Sequence, residues 1–169
     1  MHTPSIPLVS IVGLSGSGKT TLLTGLIPEL RRAGLRVGTI KHHGHAPDDM
    51  DTPGKDTWQH RRAGAACTIL SSPTQIGVIR DVDHDSSPQE LLAWMEDMDL
   101  VLAEGFKRSS TPKIEVYRSE IAERPVCLHD PLLLALVTEA DTSWDGPRFS
   151  PTDFAGLARF LLRRFHLAP

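Results

Sequence analysis

The stretch GLSGSGKTT at residues 13–21 constrains the fold of this chain more than any other segment. It satisfies the pattern G-x-x-x-x-G-K-[ST], follows a short β-rich run at residues 8–12, and opens a segment with the leucine spacing of a helix. A glycine loop between a strand and a helix directs backbone N–H groups at phosphate oxygens, and the helix N-terminus adds a favourable potential for an anion. The segment therefore predicts a nucleotide site of the P-loop NTPase type.

The residue types in this loop suggest individual roles. Gly16 and Gly18 permit backbone conformations that turn N–H groups inward. We expect Lys19 to bridge the β- and γ-phosphates and the Thr20 hydroxyl to bind Mg²⁺. The full set of loop residues expected to contact the nucleotide is Gly13, Ser15, Gly16, Ser17, Gly18, Lys19, Thr20 and Thr21.

Strand-like and helix-like segments alternate along the rest of the chain. Further strands are predicted at 35–40, 67–70, 76–79, 99–103, 114–117 and 132–137, and helices at 19–33, 56–63, 88–95 and 154–165. This alternation favours an α/β fold with a mainly parallel sheet flanked by helices. A length of 169 residues suits one compact unit, so we predict a single P-loop nucleotide-binding domain over residues 1–169.

Composition excludes several classes of partner. The formal net charge is −3 and no run of five basic residues occurs, which argues against nucleic-acid binding. No stretch approaches the roughly 18 apolar residues of a membrane span, and the first residues lack the pattern of a signal peptide. We expect a cytoplasmic protein without membrane contact, in which the isolated Cys67 and Cys127 are both buried.

A magnesium nucleotide site also needs carboxylates near the glycine loop. Glu104 follows the apolar run DLVLA and precedes a glycine, so we expect it at the carboxyl edge of the sheet, where open α/β folds bind ligands. Asp99, at the other end of that strand, would lie about 15 Å away. Asp51 is the second expected metal ligand, with Asp49 of the same loop as its alternative.

The run KHHGH at residues 41–45 is compatible with three roles. Its imidazoles at His42, His43 and His45 are suited to a transition metal, to contact with phosphate or a partner, or to a solvated loop. We favour contact with phosphate or a partner, because no cysteine lies nearby and three histidines in a short loop supply poor tetrahedral geometry.

An ordered set of motifs resembles one known family over nearly the whole chain. These motifs are K-H-H-x-H at 41–45, D-x-P-G-K-D-T at 51–57, R-A-G-A at 62–65, D-L-V-L-A-E-G-F-K at 99–107 and P-K-I-E-V at 112–116. Together they are similar to the molybdopterin-guanine dinucleotide biosynthesis protein B (MobB) family. The resemblance implies a GTP-binding P-loop protein of the class that includes dethiobiotin synthetase and the nickel-delivery GTPases.

The resemblance also implies ligands and partners. It puts the nucleotide phosphates on residues 13–21, Mg²⁺ on Thr20 with help from Asp51 and Glu104, and Lys41 near the phosphates. The implied partner is the MobA-type guanylyltransferase that joins GMP to molybdopterin, with molybdopterin itself as a further ligand. We expect a homodimer.

The guanine-reading element of such proteins is matched only in part. Residues 138–141, TEAD, follow a predicted strand and have the shape of an [NT]-K-x-D motif with Glu139 where lysine is usual. The Asp141 carboxylate would accept two guanine N–H groups, and an ordinary strand-to-loop turn is the alternative.

The sequence thus predicts a GTP-binding accessory protein of molybdenum-cofactor guanylation with weak GTP hydrolysis at most. A small-molecule kinase and a metallochaperone-type GTPase of the same P-loop class are the alternatives, the second suggested by the histidines. No residue of the chain stands out as a kinase base.

Overall fold

A computed structural model of the chain describes residues 6–44 and 49–167. Two compact units emerge, one formed by the chain up to His42 together with Ser87 onward, the other by His43–Ser86. The single domain expected over residues 1–169 stays a prediction. Among the described residues, no helix has the length and apolar character that crossing a membrane would require.

The larger unit is built on a six-stranded sheet. In chain order its elements are β1 (Leu8–Val12), α1 (Lys19–Arg32), β2 (Val37–Lys41), and, after the smaller unit, α3 (Pro88–Leu91), a 3₁₀ turn (Leu92–Trp94), β5 (Leu100–Glu104), β6 (Lys113–Val116), β7 (Leu133–Val137), β8 (Arg148–Phe149) and α4 (Phe154–Arg164). Its strands run parallel in the order β2-β5-β1-β6-β7-β8. The parallel α/β fold is confirmed.

The apolar core lies between the sheet and two helices. Helix α1 contributes Leu26 and Leu30, and helix α4 contributes Leu157 and Leu161, all of them buried against the strands. Strand β5 is buried along its whole length, as expected for an apolar run covered on both faces. This packing fixes the strand ends from which the site is built.

Two details of the predicted elements differ from the structure. The helix expected at 88–95 is a one-turn α-helix followed by the 3₁₀ turn. Its expected cap is present, since the Ser87 hydroxyl accepts the Glu90 N–H at 3.3 Å. Strand β8 was not predicted, because two residues leave no periodic pattern to read.

The smaller unit holds a short helix and a hairpin. These elements are α2 (Asp56–Arg62) and the antiparallel pair β3 (Cys67–Ser71) and β4 (Ile76–Arg80), which form their own two-stranded sheet. Cys127 is buried, but Cys67 is exposed, so the expectation for Cys67 was wrong. A two-stranded sheet is too small to bury all of its side chains, so a residue such as Cys67 can remain exposed on it.

Candidate nucleotide-binding site

The glycine loop connects the end of β1 to the start of α1. Gly13, Gly16 and Gly18 have φ angles of 138°, 78° and 100°, a region that other residues rarely adopt. A Cβ atom at Gly13 would lie 2.4 Å from the Val116 carbonyl oxygen. The loop therefore depends on glycine at Gly13 for space as well as for backbone conformation.

A cavity of about 380 Å³ opens over this loop. It brings together residues from the loop, the start of α1 and the ends of two strands: Ser15, Gly16, Gly18, Lys19, Thr20, Thr21, Lys41 and Glu104. Gly13 and Ser17 are not among its lining residues. Ser17 is buried, and its hydroxyl oxygen has no hydrogen-bond partner within the described part of the chain.

Glu104 is the acidic residue of the cavity lining. It ends β5 and is opposite Lys41 at the end of β2, because the two strands are paired in parallel register. Its side chain is buried, yet it accepts hydrogen bonds from the Thr20 hydroxyl at 3.2 and 3.3 Å and forms an ion pair with the Lys41 ammonium. Three predicted site residues from distant parts of the sequence thus meet at one sheet edge.

The Lys19 ammonium folds back onto its own loop. It donates to the Leu14 carbonyl oxygen at 2.7 Å and to the Gly13 carbonyl oxygen at 3.1 Å. Burial lowers the pKa of Lys19, while the nearby Glu104 carboxylate raises it and Lys41 lowers it further. A phosphate in the cavity would supply the compensating negative charge.

The donor set fits magnesium and a polyphosphate. Mg²⁺ prefers hard oxygen ligands and is usually held by one or two carboxylates beside phosphate oxygens and water. The Thr20 hydroxyl and Glu104 carboxylate supply such oxygens, and Lys19 and Lys41 line the same cavity with positive charge. The residues present are therefore compatible with a magnesium nucleotide.

The second predicted metal ligand lies in the smaller unit. Asp51 Oδ1 accepts the Thr52 N–H at 2.8 Å and the Thr57 hydroxyl at 3.2 Å. Its Oδ2 is buried without a hydrogen-bond partner among the described residues. Asp49, its alternative, accepts the Asp51 N–H at 3.1 Å and pairs with Arg61 at 3.5 Å. The role of either aspartate in metal binding stays a prediction.

The histidine run is described only in part. The His42 ring lies against the Phe106 ring with centroids 4.6 Å apart, and its backbone N–H donates to the Glu104 carbonyl. His45 falls outside the described residues. Within residues 6–44 and 49–167, no group of three His, Cys, Asp or Glu side chains is arranged to hold a metal ion.

The predicted guanine-reading residues lie at the end of β7, at the edge of the sheet that carries the glycine loop. The Thr138 hydroxyl oxygen accepts the Ala140 N–H at 2.9 Å, which shapes the turn. Glu139 accepts the Ser150 hydroxyl at 2.6 Å, and the exposed Asp141 lies 3.5 Å from Arg148. These residues line an open cavity of about 270 Å³. Arg148 and Ser150 were missed because no motif marks the segment around β8.

Comparison with known proteins identifies the family. Residues 8–139 match the family model described as molybdopterin guanine dinucleotide synthesis protein B. The molybdopterin-guanine dinucleotide biosynthesis adapter protein of Escherichia coli K12 is 38% identical over 162 residues, which are 93% of this chain and 92% of that protein. The protein of the same name from Haemophilus influenzae is 36% identical over 166 residues, with 95% and 92% covered.

Solved structures agree with the sequence relatives. A crystal structure of molybdopterin-guanine biosynthesis protein B shares the fold with a TM-score of 0.73 at 30% identity, and the match covers 93% of this chain and 99% of that one. A match over 93% of the chain extends far beyond the glycine loop. The chain therefore belongs to the MobB family of molybdopterin-guanine dinucleotide synthesis proteins, as the sequence motifs predicted.

Proposed function

We propose that this chain is an adapter protein of molybdopterin-guanine dinucleotide biosynthesis that holds GTP with Mg²⁺ in its glycine loop and assists a MobA-type guanylyltransferase. The observation that carries the proposal is the cavity where Lys19, Thr20 and Glu104 meet. The adapter role rests on family membership and on the names of the relatives. The proposed binding of GTP and Mg²⁺ rests on the chemistry of the cavity.

Phosphate binding follows from how the loop residues are held. The backbone N–H groups around Gly16 and Gly18 supply donors, and α1 directs the positive end of its dipole at the loop. Lys19 exchanges two carbonyl acceptors for phosphate oxygens when a nucleotide binds. That exchange is favourable because hydrogen bonds between two charged groups are stronger than those to a neutral carbonyl.

Magnesium, when bound, neutralises charge on the β- and γ-phosphate oxygens. Thr20 and Glu104 would hold it, because their oxygens already lie within hydrogen-bond distance of each other. Lys41 orients the Glu104 carboxylate through their ion pair. Asp51 is proposed as the second acidic contributor.

Guanine specificity is assigned to the end of β7. Asp141 would accept two N–H groups of guanine there, as aspartate does in the motif that TEAD partly matches. Its present contact with Arg148 is weak, at 3.5 Å and on a fully exposed carboxylate, so guanine would compete with it readily.

A homodimer is proposed from the hairpin of the smaller unit. Its paired strands place Ile69, Ile76 and Val78 on one face, with exposed fractions of 62%, 71% and 37%. We call these three residues the hairpin stripe. An isolated two-stranded sheet is marginally stable in water, and burial of its exposed apolar face against a partner would stabilise it. A second copy of the chain presents the same stripe and can cover it symmetrically.

A reconstituted guanylation reaction tests the proposed function. Purified guanylyltransferase, molybdopterin and magnesium GTP are combined with the wild-type chain, with Lys19→Ala or with the exposed-surface control Arg159→Ala. We expect the wild type and Arg159→Ala to increase formation of the guanine dinucleotide at limiting GTP, and Lys19→Ala to lose most of that increase. No increase with the wild type would contradict the adapter proposal, and equal increases with all three proteins would contradict the role of the glycine loop. Phosphate transfer from GTP to molybdopterin or another acceptor would instead support the kinase alternative.

A further inference from the structure

A second, larger cavity lies in the same unit as the glycine loop. Its volume is about 770 Å³, and it is lined by residues 107–108 after β5, by residues 124–130 between β6 and β7, and by Ser143. None of its lining residues belongs to the lining of the nucleotide cavity. Its volume falls within the range of about 300–1,000 Å³ typical of small-molecule sites.

A buried lysine ties the two segments together. Lys113 is 1% exposed, and its ammonium donates to the carbonyl oxygens of Ser109 at 2.7 Å and Thr111 at 3.0 Å. The same ammonium pairs with Asp130 at 2.9 Å, and Asp130 also accepts the Leu132 N–H. The segment before β6 and the segment before β7 are therefore held in a fixed relation.

A buried glutamate fixes the middle of the cavity wall. Glu115 is 2% exposed, and its two carboxylate oxygens accept the N–H groups of Val126 at 2.6 Å and Cys127 at 2.8 Å. Both residues line the cavity. Since buried side chains organise both walls, the cavity is preformed and does not depend on the conformation of an exposed loop alone.

The charge at this cavity is positive. Lys107, Arg108 and Arg124 line it, and none of the three forms a hydrogen bond or ion pair with another described residue. The one acidic lining residue, Asp130, is already neutralised by Lys113. Burial raises the pKa of the Cys127 thiol to about 11, so that thiol adds no negative charge at neutral pH.

Three further lining residues are apolar, beside the polar His129 and Ser143. Pro125, Val126 and Leu128 lie on the same segment as Arg124. Unpaired arginines recognise phosphate by bidentate hydrogen bonds, whereas prolyl and aliphatic surfaces suit the face of an organic ring. A bare phosphate ion would leave most of the volume and the whole apolar wall unused.

From these observations we infer that the cavity of Lys107, Arg108 and Arg124 binds a phosphomonoester that carries a ring system, at a site separate from the nucleotide cavity. The phosphate contacts the two arginines and Lys107, and the ring covers Val126 and Leu128. The inference rests on the cavity alone and holds whether or not the glycine loop prefers GTP.

Flavin mononucleotide is a suitable probe, because it is a fluorescent ring system with one phosphomonoester, and riboflavin is the same ring without phosphate. Binding is measured by fluorescence titration of the full chain. We expect Arg108→Ala and Arg124→Ala each to weaken flavin mononucleotide binding about tenfold or more, the loss typical of one charged hydrogen bond. The exposed control Arg159→Ala should bind as the wild type does, and riboflavin should bind at least tenfold more weakly.

The same titration with Lys19→Ala distinguishes binding in the larger cavity from binding in the nucleotide cavity. We expect unchanged binding of flavin mononucleotide there, because Lys19 lines the nucleotide cavity and is not among the residues that line the larger one. Loss of binding in Lys19→Ala would place the probe in the glycine loop and overturn the inference. Wild-type affinity in both Arg108→Ala and Arg124→Ala would overturn it, as would the absence of any binding by the wild type.

Discussion

Glu104 is the residue whose environment decides most about the nucleotide cavity. A carboxylate that is only 7% exposed loses much of its hydration, and such burial is costly unless the charge has partners. Glu104 has two, the Thr20 hydroxyl and the Lys41 ammonium. Removing its charge leaves Lys41 without its acceptor and Thr20 without the carboxylate oxygens beside it.

The first prediction concerns this charge. Glu104→Gln should weaken GTP binding in the presence of Mg²⁺ more than binding measured in a chelator, because a neutral amide is a poor magnesium ligand. Asp51→Asn should act in the same direction. Asp99→Asn, an exposed acid beside the opposite end of the same strand, is the matched control. Calorimetric titrations with and without magnesium provide the measurement, and unaltered magnesium dependence in Glu104→Gln would remove it from the metal site.

Some residues of the site were predictable from the sequence and others were not. Glu104 follows from an apolar run that ends before a glycine, and Lys19 and Thr20 follow from the loop motif. The ion pair of Lys41 with Glu104 requires knowing that β2 pairs with β5 and not with β1, which no local pattern reveals. Arg148 beside Asp141 depends likewise on the pairing of β7 with β8.

At the scale of elements, β6 combines two environments. Ile114 and Val116 belong to the core beneath the helices, whereas Lys113 and Glu115 alternate with them and bond to residues of the cavity walls described above. From sequence alone, K-I-E-V predicts a strand with one solvated face. That face is buried because the segments before and after β6 fold over it, and the charges are satisfied by backbone groups and by Asp130.

The second prediction uses the buried acid of this strand. Burial raises the pKa of Glu115 above its ordinary value of 4.5, although the N–H groups of Val126 and Cys127 lower it. The folded state then holds the proton more tightly than the unfolded state, so this residue reduces stability as the pH rises from about 4.5 through the raised pKa. Urea unfolding across that range should show a flatter pH dependence for Glu115→Gln than for the wild type. The exposed control Glu120→Gln should follow the wild type, and parallel curves for all three would contradict the buried-acid account.

The third prediction belongs to the hairpin. Ile69→Asp places a charge in the centre of the hairpin stripe and should convert a dimer into monomers at the same protein concentration, since an unpaired charge is costly in an apolar interface. Thr74→Asp, in the exposed turn between the strands, adds the same charge outside the stripe and should leave the dimer intact. Light scattering after size exclusion gives the masses. A monomeric wild type, or a dimeric Ile69→Asp, would contradict the proposed interface.

For the whole molecule, the arrangement favours holding a nucleotide over cleaving it. Fast GTP hydrolysis needs a residue that positions the attacking water and an arginine that stabilises the negative charge of the transition state. Such an arginine increases the rate by about 10³–10⁵-fold. In the nucleotide cavity the acidic side chain is already engaged by Thr20 and Lys41, and the cations are lysines. We therefore predict that the isolated chain hydrolyses GTP at about 10⁻³ per second or more slowly. Steady-state turnover above about one per second without a partner would instead favour an enzyme in its own right.

The fold class was predictable from the sequence, but the order of the strands in the sheet was not. Alternating strands and helices indicate a parallel sheet, and the strongest elements lie within two or three residues of their predicted ends. Strand order was not readable, because parallel neighbours such as β2 and β5 are separated by more than fifty residues of chain. The cavity lined by Lys107, Arg108 and Arg124 was not predicted for a related reason: its charges come from two segments that are distant in the chain and are joined through Lys113 and Glu115.

The central claim is that the glycine loop holds magnesium GTP, and isothermal titration of GTP into the wild type and Lys19→Ala tests it most directly. With Mg²⁺ present we expect saturable binding to the wild type and to the control Arg159→Ala. Lys19→Ala should bind roughly ten- to a hundredfold more weakly while its circular dichroism spectrum stays unchanged, since a hydrogen bond to a charged group contributes about 1.5–3 kcal/mol. Equal affinities in the wild type and Lys19→Ala, or no binding of GTP by the wild type, would contradict the account.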